Sequence, residues 1–260
     1  MKKIMTLAAM FAAVMVSFSS CEKNNGPQGG NNDVCEDCGE DPCVCEEYVP
    51  AITIDGDFAD WDAVQASVAY CDPDAKYTAL TTLKAYADAY YVYVYVEFDE
   101  DQITDRDWPG FHIYFNADNS DLTGGFGDQW SDANAECMLE TAIFSSGEWN
   151  NWDAALFKWW GEVGGSGWLW TDPENPGTAE NAWGAILGEG SGISSSAGNG
   201  NAFEIAIMKE MMMGVEFADT FSLGVDIQQK WTSVGILPNA AMTEENANGL
   251  APKLVVNTVK

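Results

Sequence analysis

From about residue 48 onward the apolar positions come in short runs broken by Gly, Asn and Asp, and no long amphipathic period of 3.6 develops. Residues 90–98, Tyr-Tyr-Val-Tyr-Val-Tyr-Val-Glu-Phe, are almost wholly β-branched and aromatic. Such side chains fit a pleated surface, so the run predicts a strand. Residues 83–87 predict another, across a short turn around Asp88. Further strands are predicted at 51–54, 111–115, 136–144, 154–160, 202–208, 221–227 and 254–258. Many short strands with turn punctuation predict an all-β sandwich or barrel. The Met211-Met212-Met213 stretch reads as core filler in a helical turn, since the flexible thioether fills irregular gaps.

The first twenty residues follow a different pattern. Met1-Lys2-Lys3 is followed by an apolar run, the small pair Ser19-Ser20, and then Cys21. A basic start, a short apolar stretch and small residues before the cut site describe a secretory signal peptide. The run is shorter than the roughly 20 residues a spanning helix needs. With cysteine at the first mature position, the segment resembles a bacterial lipoprotein signal, in which that thiol carries lipid. Phe18 stands where the usual box has Leu, a variation seen in Bacteroidota lipoproteins. The expected organisation is a signal peptide at 1–20, a lipidated, Cys-rich acidic linker at 21–47, and one β-sandwich domain at 48–260. The linker is polar and Gly-rich, with too little apolar surface to offset ordering entropy. The expected location is outside the cytoplasm, lipid-anchored to the bacterial outer membrane, on the cell surface or its periplasmic face.

Charge narrows the partners. The formal net charge is -30, from 11 Lys and Arg against 41 Asp and Glu. Nucleic acid and anionic lipid surfaces both need basic patches, so neither is an expected partner. Membrane association is expected through the lipid anchor only. Of seven cysteines, six remain if Cys21 carries lipid. An even number in an oxidising compartment favours disulfides. Cys35, Cys38, Cys43 and Cys45 are crowded together, with Cys71 and Cys137 apart. The Cys35-x-x-Cys38 spacing also suits half a zinc site.

No G-x-S-x-G, H-E-x-x-H, P-loop or dinucleotide fingerprint occurs, and no enzyme activity is expected. The one histidine, His112, lies inside a predicted strand, where it is expected to be a structural or surface residue rather than a chemical one. Asn116, Asp118, Asn119 and Asp121 place four oxygen-bearing side chains before Gly124-Gly125. Such a loop suits Ca²⁺, which prefers carboxylate and carbonyl oxygens. The same residues also suit a plain Asx turn. Eleven tryptophans occur, and Trp149, Trp152, Trp168 and Trp170 lie among Gly, Asn and Ser. Flat aromatic faces on loops stack on sugar rings. These four are the candidate ligand-binding residues, with a poly- or oligosaccharide as partner. Trp159 and Trp160 are adjacent on a predicted strand, so at least one is expected in the core.

Several segments resemble the family 9 carbohydrate-binding modules and their DOMON-like relatives. Ile52-Thr-Ile-Asp-Gly-Asp-Phe-Ala-Asp-Trp-Asp62 is similar to the I-D-G-x-h-x-D-W opening, and residues 83–99 to the strand pair that follows. Residues 111–124 resemble the h-x-h-F-x-D-x-D-N-x-x-T-G stretch, 133–140 the G-A-D-Y-x-h-E strand, and Phe203-Glu-Ile-Ala-Ile207 the h-E-h-A-I strand. The resemblance implies an antiparallel β-sandwich, jelly-roll or immunoglobulin-like, often with structural calcium and, in true modules, a tryptophan clamp for sugar. Asn116 replaces the usual first acid of the third motif. The leading expectation is an exported, lipid-anchored glycan-binding protein. The rivals are a surface scaffold without a small ligand and a DOMON-type haem or redox module using His112 or methionine.

Overall fold

The computed structural model describes residues 48–150, 154–170, 174, 194–212 and 214–260. The chain divides into two compact units, Met1–Thr53 and Ile54–Lys260. Only residues 48–53 of the first are described, and they form no strand. The strand predicted at 51–54 is therefore absent. Cys21, the cluster Cys35, Cys38, Cys43 and Cys45, and Trp152 lie outside the described residues.

The second unit is all β. Its strands are β1 (Ser67–Tyr70), β2 (Leu80–Ala87), β3 (Tyr91–Phe98), β4 (Gly110–Asn116), β5 (Cys137–Ala142), β6 (Phe144–Ser145), β7 (Glu148–Trp149), β8 (Ala154–Lys158), β9 (Ser194–Asn199), β10 (Ala202–Met208), β11 (Thr220–Gln229), β12 (Thr232–Leu237) and β13 (Leu254–Asn257). One sheet has the order β1-β2-β3-β10-β9. The other runs β12-β11-β4-β5-β8, with β13 also pairing β11, and β6-β7 form a small hairpin. Every pairing between these strands is antiparallel.

Alternation sorts the side chains. In β3, Val92, Val94, Val96 and Phe98 point to one face and join the main core. In β4 the corresponding residues are Phe111, Ile113 and Phe115, which enter that same core from the other sheet. The two sheets thus close as a sandwich, and each buried Val, Leu or Phe contributes about 1.5–3 kcal/mol. The opposite face of β3 carries Tyr93 and Tyr95, also buried. Burial on both faces explains why β3 reads as a continuous apolar run. The turn before it is held by Asp88, whose Oδ1 accepts from Tyr90 N and Tyr91 N at 2.8 Å each.

The opening motif meets β10. Gly56 N and Asp55 N donate to Glu204 Oε1 at 2.9 and 3.1 Å, and Trp61 Nε1 donates to Glu204 Oε2 at 2.9 Å. Gly56 has φ +81°, a left-handed conformation that favours glycine. Trp61 and Phe58, in the 3-10 turn Phe58–Asp62, pack on Tyr95 with ring centroids 5.5 and 5.1 Å apart. Burial pushes the Glu204 carboxyl upward, and its three donors pull it back.

The six-stranded sheet is covered on its outer face as well. Tyr114, Met138, Ala155, Phe157 and Ile236 point outward and meet Phe126, Trp130 and Trp170 from the loops, forming a second core. The sandwich is therefore thickened on one side by a loop layer, and there the chemistry collects.

Candidate functional site

Three adjacent strands place three ionisable residues in one row beneath that layer. Asp226 of β11 pairs in register with His112 of β4, which pairs with Glu140 of β5. All three are buried. His112 Nε2 lies 2.6 Å from Glu140 Oε2. A carboxylate only accepts, so the ring nitrogen donates. His112 Nδ1 is 3.9 Å from Asp226 Oδ2, an ionic separation too long for a hydrogen bond. Asp226 Oδ2 accepts instead from Gln228 Nε2 at 2.6 Å and Gln129 Nε2 at 2.9 Å. Burial pushes the Asp226 carboxyl upward, and the His112 charge, the two amide donors and the Ser233 hydroxyl oppose it.

Gln129 links this row to a cleft. Its Nε2 also donates to Ser233 Oγ at 3.2 Å. Gln129 and Ser233 form one wall of a cavity of about 170 Å³, with Tyr77, Asp128, Asn239 and Asn248 around it. Lys76 completes the lining, with its Nζ 4.8 Å from the Tyr77 ring centroid, so the cleft combines an aromatic ring with ammonium, amide, hydroxyl and carboxylate groups, a composition suited to a polar ligand. Asp128 Oδ2 accepts from Gly167 N at 2.7 Å and ties the cleft to the loop carrying Trp168.

The candidate tryptophans separate. Trp168 is 51% exposed, and its ring meets His112 edge-on at 6.3 Å between centroids. Trp170 is 0% exposed and packs on Tyr114, Phe126 and Trp159. It offers no face to a ligand, contrary to its expected loop exposure. Trp149, in β7, is half-buried between Phe144 and Phe203 and lies on the backbone of Gly198, where a Cβ would come 2.0 Å from its ring. It belongs to the main core's edge rather than to a loop platform. Trp159 and Trp160 lie beyond the end of β8. Trp159 packs against the second core while Trp160 is exposed, so the pair divides between inside and outside. Glycines 125 and 161 seat Trp159, each leaving 2.3 Å between a notional Cβ and the indole. Glycine density here marks seats for flat rings as much as exposed loops.

The loop after β4 is built as an Asx turn. Ser120 N donates to Asp118 Oδ1 at 2.9 Å and to Asn116 Oδ1 at 3.1 Å, and Asn116 Nδ2 donates back to Ser120 O at 3.2 Å. Asn116 is thus spent on closing the loop. Asn119 has φ +55° at the turn, and Asp121 Oδ1 accepts from Asn134 Nδ2 at 3.1 Å. The carboxylate that joins Asp118 is Glu136. It accepts from Ala117 N at 2.8 Å and Asp118 N at 3.0 Å. Burial and the adjacent Asp118 carboxyl push Glu136 from its ordinary 4.5 up to about 7. Two carboxyls in hydrogen-bond reach with one acid raised is a donor set that a hard cation fits, since a cation replaces the shared proton. Asp118 and Glu136 would hold it; Asp121 is engaged by Asn134 instead, and the four residues read from the sequence do not all turn to one point.

No family model and no curated protein matches the chain. The site therefore rests on its own geometry. That geometry does not suit haem at His112, because the ring is fully enclosed and its Nε2 is committed to Glu140. The two cysteines within the described residues, Cys71 and Cys137, are free thiols and not a pair. Cys137 faces the main core, and burial pushes its thiol upward.

Sequence reasoning missed Glu140, Asp226, Gln129 and Glu136. A usable signal existed for the first two. Each is an acid inside an otherwise apolar strand, Cys-Met-Leu-Glu-Thr-Ala and Phe-Ser-Leu-Gly-Val-Asp-Ile, and buried acids need partners. Gln129 lies in a loop with no pattern to mark it.

Proposed function

We propose that this chain is an exported, lipid-anchored protein that binds a glycan through the exposed Trp168 ring and the cleft that Asp128 joins to its loop. The observation that carries the reading is the half-exposed Trp168 ring, tied through Gly167 and Asp128 to a cleft of mixed aromatic and amide lining. An indole face left in water beside hydrogen-bonding groups matches a sugar ring, which presents C–H groups on one face and hydroxyls around its rim. The resemblance to family 9 carbohydrate-binding modules supports the same reading, as does the acidic surface, which disfavours nucleic acid. Cys21 supplies the anchor. Calcium bound by Asp118 and Glu136 stiffens the loop between β4 and β5.

The test is binding of soluble neutral oligosaccharides by calorimetry to wild type and Trp168→Ala. Single sugar sites offset much of their contact gain by hydroxyl desolvation, so the affinity is expected at about micromolar to millimolar. Trp168→Ala is expected to abolish it. Binding that survives this substitution, or a wild type that binds no sugar, defeats the reading.

A further inference from the structure

The floor of the loop-covered face holds several polar atoms that are buried and have no hydrogen-bond partner among the described residues: Tyr114 Oη, Asp226 Oδ1, Gln129 Oε1, Trp130 Nε1 and His112 Nδ1. Tyr114, Asp226, Trp130 and His112 are each at most 1% exposed. Leaving one such group unsatisfied costs about 1–3 kcal/mol, and native structures carry few of them. Here they are neighbours. Asp226 sits opposite His112 in register, and Tyr114 is two positions along the same face of β4. Trp130 lies on Gly224, the residue opposite Tyr114, with its Nε1 2.7 Å from where a Cβ would be. The carboxylates of Asp226, Glu140 and Asp128 all act on the Tyr114 hydroxyl and, with burial, hold its ionisation well above the usual range.

The set contains both kinds of group. Indole N–H only donates, Asp226 Oδ1 and Gln129 Oε1 only accept, and the tyrosyl hydroxyl does both. A hydroxyl-bearing ligand can answer all of them, because each hydroxyl donates once and accepts twice. Gln129 stands between the cleft and Asp226, bonded to Asp226 Oδ2 on one side and Ser233 Oγ on the other. Its displacement would expose the floor.

We propose that the cleft that Asp128 joins to the Trp168 loop extends inward past Gln129, and that Tyr114 Oη and Asp226 bind the hydroxyls of a neutral sugar there. This deepens the glycan reading and rests on it. Asp128 lines the cleft together with Lys76, and Asp226 and Glu140 lie near Tyr114 in the strands beneath, so three carboxylates outnumber the Lys76 ammonium and an acidic sugar is disfavoured. Trp168 supplies the stacking face and Tyr114 with Asp226 the polar floor.

The experiment compares wild type, Tyr114→Phe, Gln129→Ala and Trp168→Ala, using glucose, galactose, xylose, N-acetylglucosamine and glucuronate as probes. Tyr114→Phe removes one oxygen that has no partner among the described residues. The melting temperature without sugar is expected to stay level or rise, and sugar affinity to fall about tenfold, the equivalent of one hydrogen bond. Gln129→Ala takes a donor from the buried Asp226 carboxylate, so it is expected to lower the melting temperature as well as to change sugar affinity, which is read below that temperature. Glucuronate is expected not to bind. A melting temperature that drops in Tyr114→Phe would show an internal partner for the hydroxyl and overturn the proposal. So would sugar affinity unchanged in both Tyr114→Phe and Gln129→Ala while Trp168→Ala abolishes it, an outcome that keeps the glycan reading. Glucuronate binding as tightly as glucose overturns the neutral-ligand assignment. Absence of binding by wild type removes the glycan reading and this proposal together.

Discussion

His112 Nε2 and Glu140 Oε2 stand 2.6 Å apart, buried side by side on β4 and β5. The pair exists because the register places the two residues directly opposite on the face that the loop layer covers. Removing one partner leaves the other buried and unmatched. Glu140→Ala is therefore expected to lower unfolding free energy by about 3–5 kcal/mol, read from urea denaturation. The apolar double variant His112→Leu/Glu140→Leu is expected to cost less than that single change. A double variant worse than the single one would show that the pair itself is net stabilising.

Glu136 gives a pH dependence with a definite sign. Its carboxyl is raised from 4.5 to about 7, so between those values the native state binds more protons than the unfolded chain. Stability from this group is present below pH 4.5 and is lost as pH rises through 7. Comparing melting temperature against pH for wild type and Glu136→Gln isolates this contribution, and the variant is expected to show the flatter curve. Calcium replaces the shared proton, so added calcium is expected to raise the wild-type melting temperature more at pH 8 than at pH 5. Equal curves with calcium and with chelator would leave Asp118 and Glu136 as a plain carboxyl pair.

Trp168 and Trp170 are two residues apart and differ completely in environment. Trp170→Ala empties part of the second core and is expected to cost about 3–5 kcal/mol. Trp168→Ala is expected to shift stability by about 1 kcal/mol or less while removing sugar binding. Paired denaturation and binding measurements on both variants check this, and equal destabilisation would place Trp168 in the core.

Gly224 is a strand glycine with a packing role. A Cβ there would lie 2.3 Å from Trp130 Cε2. Gly224→Ala must push the indole off the sheet and is expected to cost about 1–3 kcal/mol, with a red shift in tryptophan emission as the ring meets water. Unchanged emission and stability would show that the loop gives way freely.

Cys21→Ala addresses the anchor. Without the thiol no lipid can be attached, so the protein is expected to leave the detergent phase and appear in soluble form or to remain unprocessed. Detergent partitioning equal to that of wild type would rule out lipidation at this residue.

Strand content was legible because it is a local property. The run Val92 to Phe98 alternates two buried faces, and its β-branched and aromatic residues announce that without knowledge of any partner. The strand predicted at 202–208 coincides with β10, Ala202–Met208. Strands with weaker composition escaped notice: β9 is Ser-Ser-Ser-Ala-Gly-Asn and β1 is Ser-Val-Ala-Tyr, both edge strands that need pairing to be defined. What the sequence by itself determined was therefore the all-β class, the turn around Asp88 and the acidic composition, while the loop after Asn116 stayed open between a calcium loop and an Asx turn. Register and layering belong to the tertiary structure alone. Only the pairing of β11, β4 and β5 sets Asp226, His112 and Glu140 in one row, and only the fold-back of loops buries Trp170 while leaving Trp168 in water. The physical reason is that burial and partnership depend on which segments meet across the sheet, and residues 28 and 97 positions apart carry no mark of each other in the chain.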